Sequence, residues 1–562
     1  MNQPSPAIVA QNAVRRLPRV ALLLFCAAYV LPGFFGRAPW KSADVTAFGY
    51  MLELSRSHGA LNWFHPTLLG LPPEIDALLP YWLGAWAIQA FSPWLDPAHA
   101  VRLPFVGLLI LALAATWQGV YYLARRSAAQ PVAFAFGGEA APVDYARAMA
   151  DGGLLALIAC LGLAQLSHET TPAQAQIAFA ALSFYALAAL LYHPWTAAGA
   201  LLVGLGGLTL SGAPTMAVLF GLGSALLLTL QEEKGAIRQA FVVLVCTAIM
   251  AGLASWLDLW RWRFEPPGWQ WRDWRVLGRL LLWFTWPAWP LALWTLWRWR
   301  AQLLSRRIAL HMGLPLWFIV LTLGTTMATP ASDRSLLLGL PALATLAAFA
   351  LPTLKRSVSS LIDWFTLIFF TGSAFVIWLF WLAMQTGIPP AAAANVARRA
   401  PGFVPALTPG AFLIALLATF AWLWLVKWRV GRHRAAIWKS LVLPAGGAAL
   451  SWLLLMTLWL PLLDYARSYE ALVERVAAIV GPAPDCVEAY GLTRGQISAF
   501  NYHAQLPLKI ASRQASCQWL MVDTFAATTL DEGVDLRQWQ LQAMVQRPVD
   551  PAEKLLVYRR KK

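Results

Sequence analysis

Long runs of apolar residues, separated by short polar connections, make up most of the chain before residue 464. A transmembrane helix needs about 20 mostly apolar residues, and about thirteen stretches approach that length. The predicted spans are 19–36, 100–123, 152–167, 172–192, 195–211, 213–230, 238–256, 279–297, 308–327, 335–353, 361–384, 406–426 and 437–463. The apolar stretch 77–91 is shorter and rich in Trp and Tyr, which favours an interfacial helix. The pattern therefore predicts a mainly α-helical, polytopic membrane protein.

The pattern changes after residue 463, where 11 of the 27 acidic residues of the chain are found. Short runs at 487–490, 519–522 and 555–558 predict β-strands, and the segment 469–480 predicts a helix. We therefore predict two domains. A transmembrane domain covers 1–464 and includes a long first loop at 37–99 with interfacial helices. A small α/β domain covers 465–562.

Composition and charge narrow the class of protein. Of the 562 residues, 12% are charged, whereas soluble domains carry about 25% charged residues, so a wholly soluble or disordered chain is excluded. The net charge of +16 would favour nucleic acid binding in a soluble protein. Here the predicted loops on one side of the membrane are all basic, which is typical of the cytoplasmic side. We therefore predict a cytoplasmic N-terminus, an outer C-terminal domain and no nucleic acid partner.

Two basic clusters lie in loops that this topology places outside. Five arginines fall between Arg261 and Arg279, among them Arg272 and Arg275, and another loop contains Arg398 and Arg399. The orientation of the chain does not explain these clusters. They serve an anionic ligand or snorkel at the membrane interface, and both interpretations stay open.

Two of the five cysteines, Cys486 and Cys517, fall in the predicted outer domain, while Cys26, Cys160 and Cys246 fall in predicted spans. In an oxidising compartment the first two can form a disulfide. Two free cysteines are the alternative.

Acidic residues are scarce before residue 464, which makes those of the first loop informative. Asp44 follows the first predicted span, on a helix whose apolar side carries Phe48, Met51 and Leu52. A carboxylate held beside bulky apolar residues can have a raised pKa, which suits a general base near neutral pH. A helix cap or a solvated surface acid is the alternative interpretation.

Several short motifs follow that acid along the chain. The residues concerned are Asp44, Trp63 to Pro66, Glu74 or Asp76, Pro80 to Leu83, Ala100 to Pro104, Trp283 to Pro287, and Ser332 to Arg334 followed by Leu336, Leu337 and Pro341. In this order they resemble the motifs of the membrane glycosyltransferases of family 39, which include the lipid A aminoarabinose transferase and the protein O-mannosyltransferases. The resemblance covers the first hundred residues well and residues 279–350 loosely.

The resemblance implies a GT-C fold and an inverting transfer of a sugar from a polyprenyl phosphate to a lipid, glycan or protein acceptor. It places the site on outward-facing loops at the periplasmic face of a bacterial inner membrane. Asp44 then acts as the base or orients the acceptor, and Glu74 or Asp76 contacts the acceptor or a metal. No cofactor is predicted, and a divalent metal is left open.

A leaving phosphate needs cations that stabilise its developing charge. Arg334, Arg102, Arg272 and Arg275 are the candidates, because Arg binds phosphate in a bidentate way. The lipid tail is expected in a groove between spans lined by Trp and Phe, and Tyr81 is expected to line the site.

The pair His168 and Glu169 comes at the outer end of the third predicted span, before Thr170, Thr171 and Pro172. We expect these two side chains to line the site, where they would orient a substrate or bind a metal. Capping of a helix end before a proline is the alternative.

Two other function classes stay open. A transporter or lipid flippase would use ionisable groups inside the membrane and internal repeats, and an assembly protein would bind a partner through its outer domain. The chain contains no phosphate-binding loop, dinucleotide fingerprint or zinc-protease motif, so a nucleotide-dependent enzyme is not predicted.

An alkaline phosphatase fusion tests the predicted topology. We expect a fusion at residue 470 to be active, because the enzyme folds only outside the cytoplasm, and a fusion after residue 126 to be inactive. An inactive fusion at 470, with normal expression, would contradict the outer placement of the C-terminal domain.

Overall fold

The computed structural model describes residues 5–57, 59–233, 235–260, 268, 270–305, 309–329, 333–430, 436–481 and 484–561. Helices dominate the chain up to residue 480. The helices before residue 260 are α1 (Arg19–Val30), α2 (Ala43–Arg56), α3 (Ala60–Phe64), α4 (Leu79–Phe91), α5 (Pro97–Ala100), α6 (Arg102–Ala124), α7 (Pro142–Ala159), α8 (Leu163–Leu166), α9 (Pro172–Ala189), α10 (Pro194–Leu210), α11 (Pro214–Thr229) and α12 (Ala236–Trp256).

The second half of the chain continues in the same way and ends in a segment of mixed structure. Its helices are α13 (Trp271–Phe284), α14 (Ala288–Arg298), α15 (Arg300–Leu303), α16 (Leu310–Ala328), α17 (Asp333–Leu337), α18 (Leu340–Ala350), α19 (Arg356–Thr386), α20 (Pro390–Arg399), α21 (Pro409–Val430), α22 (Val442–Leu458), α23 (Leu460–Arg467), α24 (Glu470–Val480), α25 (Arg494–His503) and α26 (Leu530–Gly533).

Six of the described helical segments are long and apolar enough to cross a membrane, and a bent pair makes up to seven. The six are Pro97–Ala124, Ala236–Trp256, Leu310–Ala328, Arg356–Thr386, Pro409–Arg429 and Ile437–Leu458. Four further apolar helices are shorter, with 10–17 residues. The mainly helical, polytopic class is confirmed. The predicted total of about thirteen spans exceeds the number that helix length and composition support.

Two predicted spans are broken, and the breaks pair with each other. The span predicted at 279–297 consists of α13 and α14, which meet at a bend of 85°, and Pro287 lies at this bend without an N–H for a continuous helix. The span predicted at 152–167 stops at Ala159. Leu161 N donates to Trp286 O at 3.1 Å and Gly162 N donates to Phe284 O at 3.0 Å. Irregular backbone at membrane depth is stable where other parts of the protein accept or donate its hydrogen bonds. The two breaks provide such hydrogen bonds for each other.

Proline starts several helices, and small residues let helices pack closely. α7, α9, α10 and α11 each begin with Pro, whose fixed φ suits the first helical turn. α9 is buried along almost its whole length between α6 and α10. A side chain at Gly447 would collide with Phe370, so α22 packs against α19 at a distance that only glycine permits.

The C-terminal segment forms a mixed five-stranded sheet in the order β2-β1-β3-β5-β4. Its strands are β1 (Val487–Tyr490), β2 (Leu508–Ile510), β3 (Trp519–Asp523), β4 (Trp539–Gln546) and β5 (Lys554–Arg560). β1 pairs in parallel with β2 and β3, while β5 pairs antiparallel with β3 and β4. The three predicted strands and the helix α24 are confirmed. β2 has only three residues, too few for a strand signal. β4 was not predicted either, although apolar and polar residues alternate over 539–543, a pattern typical of a strand.

The sheet segment packs against the first loop. A side chain at Gly49 of α2 would collide with Ser498 of α25. Lys41 Nζ lies 2.9 Å from Glu553 Oε2 and 3.3 Å from Asp550 Oδ2, and Arg494 lies 3.4 Å from Glu74. The first loop and the C-terminal segment therefore form one joint surface.

Cys486 and Cys517 are joined by a disulfide, with their Cα atoms 5.3 Å apart and a sequence separation of 31. A loop of this length is expected to stabilise the fold by about 3–4 kcal/mol. We expect the double variant Cys486→Ser, Cys517→Ser to unfold at a lower temperature than the oxidised protein, and reductant to bring the wild type towards the variant. Free thiols at both positions in non-reducing mass spectrometry would contradict the bond.

Candidate active site

Asp44 is buried at the start of α2, and donors surround its carboxylate. Its Oδ1 accepts hydrogen bonds from the amide and hydroxyl of Thr170 at 2.8 and 2.7 Å. Its Oδ2 accepts from Arg37 Nη1 at 2.7 Å and from Trp40 N at 3.1 Å. Only 1% of the residue is exposed. A carboxylate has about four lone-pair sites, so these donors fill the hydrogen-bonding capacity of Asp44.

Arg37 provides the charge that compensates Asp44. Its Nε donates to Gly33 O at 2.6 Å, its Nη1 also donates to Ala38 O at 3.2 Å, and its Nη2 donates to His168 O at 2.9 Å. The planar guanidinium thus connects the end of the first helix, the first loop and the segment after α8. Because it is rigid and always charged, it fixes these three segments relative to one another.

The helix α23 closes the cluster from the far end of the chain. Asp464 Oδ1 accepts from Trp40 Nε1 at 2.9 Å and from Ala38 N at 3.0 Å. Lys41 N donates to Arg467 O at 2.9 Å, and the Arg467 guanidinium carbon lies 5.2 Å from the Trp40 ring centroid. The backbone that leads into Asp44 is therefore held by residues more than four hundred positions away.

Glu169 and Arg334 form a second ion pair beside Asp44. Arg334 Nη2 lies 3.0 Å from Glu169 Oε2, and the Glu169 side chain is 5% exposed while that of Arg334 is 31% exposed. Gln165 Nε2 donates to Glu169 Oε1 at 3.1 Å. Since Glu169 directly precedes Thr170, the structure brings two of the predicted site residues, Glu169 and Arg334, next to Asp44.

Arg102 begins the long helix α6 and is 1% exposed. Among the residues that the structure describes, no acceptor lies within hydrogen-bond distance of its Nε, Nη1 or Nη2. It is close enough to Asp44 and Asp464 for their charges to act on it. A buried guanidinium needs a charge or an acceptor nearby, so these donors suit an anionic group. We name Arg37, Asp44, Arg102, Glu169, Arg334 and Asp464 the charged cluster.

The pKa values of the two central acids move in opposite directions. Burial by itself raises the pKa of Asp44, but the charges of Arg37 and Arg102 and the hydrogen bonds from Thr170 and Arg37 outweigh it, so the pKa falls from 3.8 to about 2. The raised pKa that the apolar surroundings predict for Asp44 is therefore wrong. For Glu169, burial and the negative charge of Asp44 outweigh Arg334, and the pKa is raised.

Glu74, Asp76 and Tyr81 form a second group, at the junction of the first loop and α25. Glu74 pairs with Arg494, and the Tyr81 hydroxyl lies 3.5 Å from Ile75 O. The charges of Glu74 and Asp76 act on Tyr81. These contacts involve neither Asp44 nor Glu169, so the structure does not bring this group into the charged cluster.

Arg272 and Arg275 are exposed on α13, and α13 contacts α17, the helix of Arg334. These two arginines therefore lie on a helix that contacts α17, and they are not part of the charged cluster. Arg261 and Arg263 of the same basic cluster, and Ser332 of the third motif, lie outside the described residues.

His168 is enclosed rather than open to a substrate. Its ring centroid lies 4.6, 4.9 and 5.6 Å from those of Trp452, Phe34 and Tyr29, and its Nε2 lies 3.0 Å from Tyr29 O. It anchors the segment that continues into Glu169 and Thr170 against these aromatic rings. Within the described ranges, no three His, Cys, Asp or Glu side chains are arranged to hold a metal ion.

Two apolar cavities are lined by residues close in the chain or in space to neighbours of the charged cluster, namely Leu336 on α17 and Trp452, which packs against His168. The first, of about 450 Å³, lies between α13, α14, α16 and α18 and includes Leu336 of α17. Its wall is mostly leucine, with Trp289 as its one tryptophan, unlike the Trp and Phe lining that was expected. The second, of about 590 Å³, lies between the α7–α8 connection, α19 and α22, and contains Phe369, Phe370 and Trp452.

Sequence reasoning missed Arg37, Trp40, Thr170 and Asp464. A signal for Asp464 exists, because it follows the last predicted span as Asp44 follows the first. For Arg37 the signal is chemical: an acid that is buried needs a cation, and Arg37 is seven positions from Asp44.

No protein-family model matches the chain, and no curated protein sequence matches it. Two crystal structures of ArnT from Cupriavidus metallidurans, one in the apo state and one bound to undecaprenyl phosphate, match its fold. Each match has a TM-score of 0.60 and 15% sequence identity, and covers 96% of this chain and 98% of that chain. The chain has an ArnT-like fold. This agrees with the GT-C fold that the family 39 resemblance implies.

Replacing Asp44 by Asn leaves the buried Arg37 without its ion-pair partner and removes one of the two acidic charges that act on Arg102. We expect the free energy of unfolding to fall by about 3–5 kcal/mol. Folding lowers the pKa of Asp44 from 3.8 to about 2. The contribution of the ionised Asp44 to the free energy of unfolding is therefore complete above pH 3.8 and is lost as the pH falls towards 2. Thermal unfolding of the purified protein over this pH range measures the effect.

Glu74→Gln is the matched control, because the Glu74 side chain is 68% exposed in its pair with Arg494. An exposed pair contributes about 0–1 kcal/mol. Equal losses for the two variants would contradict the central role of Asp44.

Proposed function

We propose that this chain is an integral membrane glycosyltransferase. It transfers a sugar from a polyprenyl-phosphate-linked donor, by an inverting displacement, to a lipid, glycan or protein acceptor. The observation that carries the proposal is the junction of the charged cluster with the first apolar cavity. The short helix α17 carries Arg334, which pairs with Glu169, and two residues later Leu336, which lines the cavity.

A lipid-linked sugar phosphate needs both parts of this junction. Its prenyl chain requires an apolar groove between helices, and its phosphate requires cations at the end of that groove. In an ArnT-like fold, one of whose crystal structures holds undecaprenyl phosphate, this combination supports a polyprenyl phosphate as the donor.

Arg334 and Arg102 are the proposed phosphate ligands. They stabilise the negative charge that develops on the phosphate as the bond to the sugar breaks. Arg272 and Arg275, exposed beside α17, attract the anionic headgroup towards the site through longer-range electrostatics. Glu74, Asp76 and Tyr81, at the surface shared with α25, are proposed to contact the acceptor.

The proposed location is the periplasmic face of a bacterial inner membrane. The basic character of the predicted cytoplasmic loops supports this orientation. The disulfide between Cys486 and Cys517 supports an oxidising compartment for the C-terminal domain over 465–562.

Turnover of a labelled polyprenyl-phosphate sugar by the purified protein tests the function. We expect Arg334→Ala to lower kcat/KM on the order of 100-fold, as the loss of a ligand to developing negative charge does. Arg398→Ala, which removes an equal charge from an exposed site where Arg398 contacts Asn395, serves as the control and should retain full activity.

Two results would contradict the proposal. Wild-type protein that moves the sugar lipid across a membrane without breaking the sugar–phosphate bond would favour a transporter or flippase. Equal activity of Arg334→Ala and wild type would remove Arg334 from the phosphate site.

A further inference from the structure

The two central carboxylates differ in their remaining hydrogen-bonding capacity. Each oxygen of Asp44 already accepts two hydrogen bonds, from both donors of Thr170 at Oδ1 and from Arg37 and Trp40 at Oδ2. A general base must first accept a hydrogen bond from the group that it deprotonates. Asp44 can do this only if one of its four donors leaves.

Glu169 has capacity left. Its Oε1 accepts one hydrogen bond from Gln165 and its Oε2 one from Arg334. With about four lone-pair sites on a carboxylate, each oxygen of Glu169 can accept one more donor. Its ion pair also holds it in place, so a further donor meets a carboxylate of fixed orientation.

Glu169 is connected to both apolar cavities through its neighbours. Arg334 connects it to the first apolar cavity through α17. On the other side, Trp452 lines the second cavity and packs against His168, the residue before Glu169. Glu169 is 4% exposed, so little bulk water competes with a bound hydroxyl group.

We infer that Glu169, and not Asp44, is the general base of the transfer, and that Asp44 is a positioning residue. This inference rests on the proposed function. Asp44 holds Thr170 and Arg37, and Arg37 binds the carbonyl of His168. The two residues that flank Glu169 are therefore both tied to the same buried ion pair.

The reaction step balances without a further reactant. A hydroxyl group of the acceptor donates to a Glu169 oxygen and transfers its proton there. The acceptor oxygen uses the released electron pair to bond to C1 of the sugar. The bond between C1 and the phosphate oxygen breaks, and its electron pair leaves on the polyprenyl phosphate, beside Arg334 and Arg102.

The charges that face Glu169 come from several elements. Asp44 on α2 raises its pKa, and Arg334 on α17 lowers it. Arg467 on α23 also interacts with its charge, and Arg37 faces Asp44 from the first loop. Burial is the largest influence, and the pKa of Glu169 lies above the ordinary value of 4.5. The stronger base of the two is thus the one with free hydrogen-bonding capacity.

The pH dependence of kcat/KM separates the two acids. In the wild type we expect activity to fall on the acid side with an apparent pKa above 4.5, because protonated Glu169 cannot act as a base. Glu169→Gln should lower kcat on the order of 100-fold or more and abolish this acid limb. Asp44→Asn should keep the limb and move it to lower pH, because the charge that raises the pKa of Glu169 is removed.

Glu53→Gln is the matched control, since Glu53 lies on α2 like Asp44 but is exposed and accepts a hydrogen bond from Asn501. Its rate and acid limb should equal those of the wild type. Binding of polyprenyl phosphate to Glu169→Gln should persist, which distinguishes a lost base from a lost donor site. Glu169→Asp, whose carboxylate is one methylene shorter, should recover part of the rate.

The outcomes discriminate between the inference and the proposed function. No turnover by the wild type would overturn the proposed function itself. If the wild type turns over, two results would overturn the role of Glu169 alone. One is a Glu169→Gln variant with an unchanged rate and acid limb. The other is an acid limb that only Asp44→Asn abolishes. If Glu169→Gln does not fold, the acid limb of Glu169→Asp decides: a shifted limb supports the inference and an unchanged one overturns it.

Discussion

Asp44 and Arg37 form an ion pair with side chains that are 1% and 2% exposed, and the rest of the site depends on it. Removing two charges from water is costly, and their attraction compensates only when further hydrogen bonds satisfy both groups. Here Thr170, Trp40, Gly33, Ala38 and His168 provide those bonds. The pair is therefore stable only in one arrangement of the surrounding chain, and that arrangement places Glu169 beside Arg334.

This requirement explains why segments distant in sequence converge on the first loop. Asp464 and Arg467 accept hydrogen bonds from residues 38–41, and Lys41 binds Glu553 of the C-terminal segment. The paired breaks after α7 and between α13 and α14 let the chain reach the site without leaving backbone groups unsatisfied. The C-terminal segment thus binds Lys41, the residue directly after Trp40, whose amide donates to Asp44.

Local sequence patterns predict part of this structure. The strands β1, β3 and β5 and the helix α24 follow from hydropathy. The scarcity of acids and the motif order select Asp44, Glu169 and Arg334 as candidate site residues. Other features depend on contacts across hundreds of residues. The contacts of Asp464 with Trp40 and Ala38 and the meeting of α25 with α2 have no local signature, whereas the bend between α13 and α14 has one in Pro287. The direction of the Asp44 pKa shift failed for the same reason: aromatic neighbours are visible in the sequence, but the arginines that outweigh them become neighbours only in the fold.

The same coupling explains why one site needs two buried acids with opposite pKa shifts. A carboxylate that organises backbone must stay ionised and fully bonded, which lowers its pKa and removes its capacity as a base. A carboxylate that takes a proton must keep free lone pairs and a higher pKa. One residue cannot satisfy both demands. In the reaction that we propose, Asp44 meets the first demand and Glu169 the second, and the negative charge of Asp44 raises the pKa of Glu169.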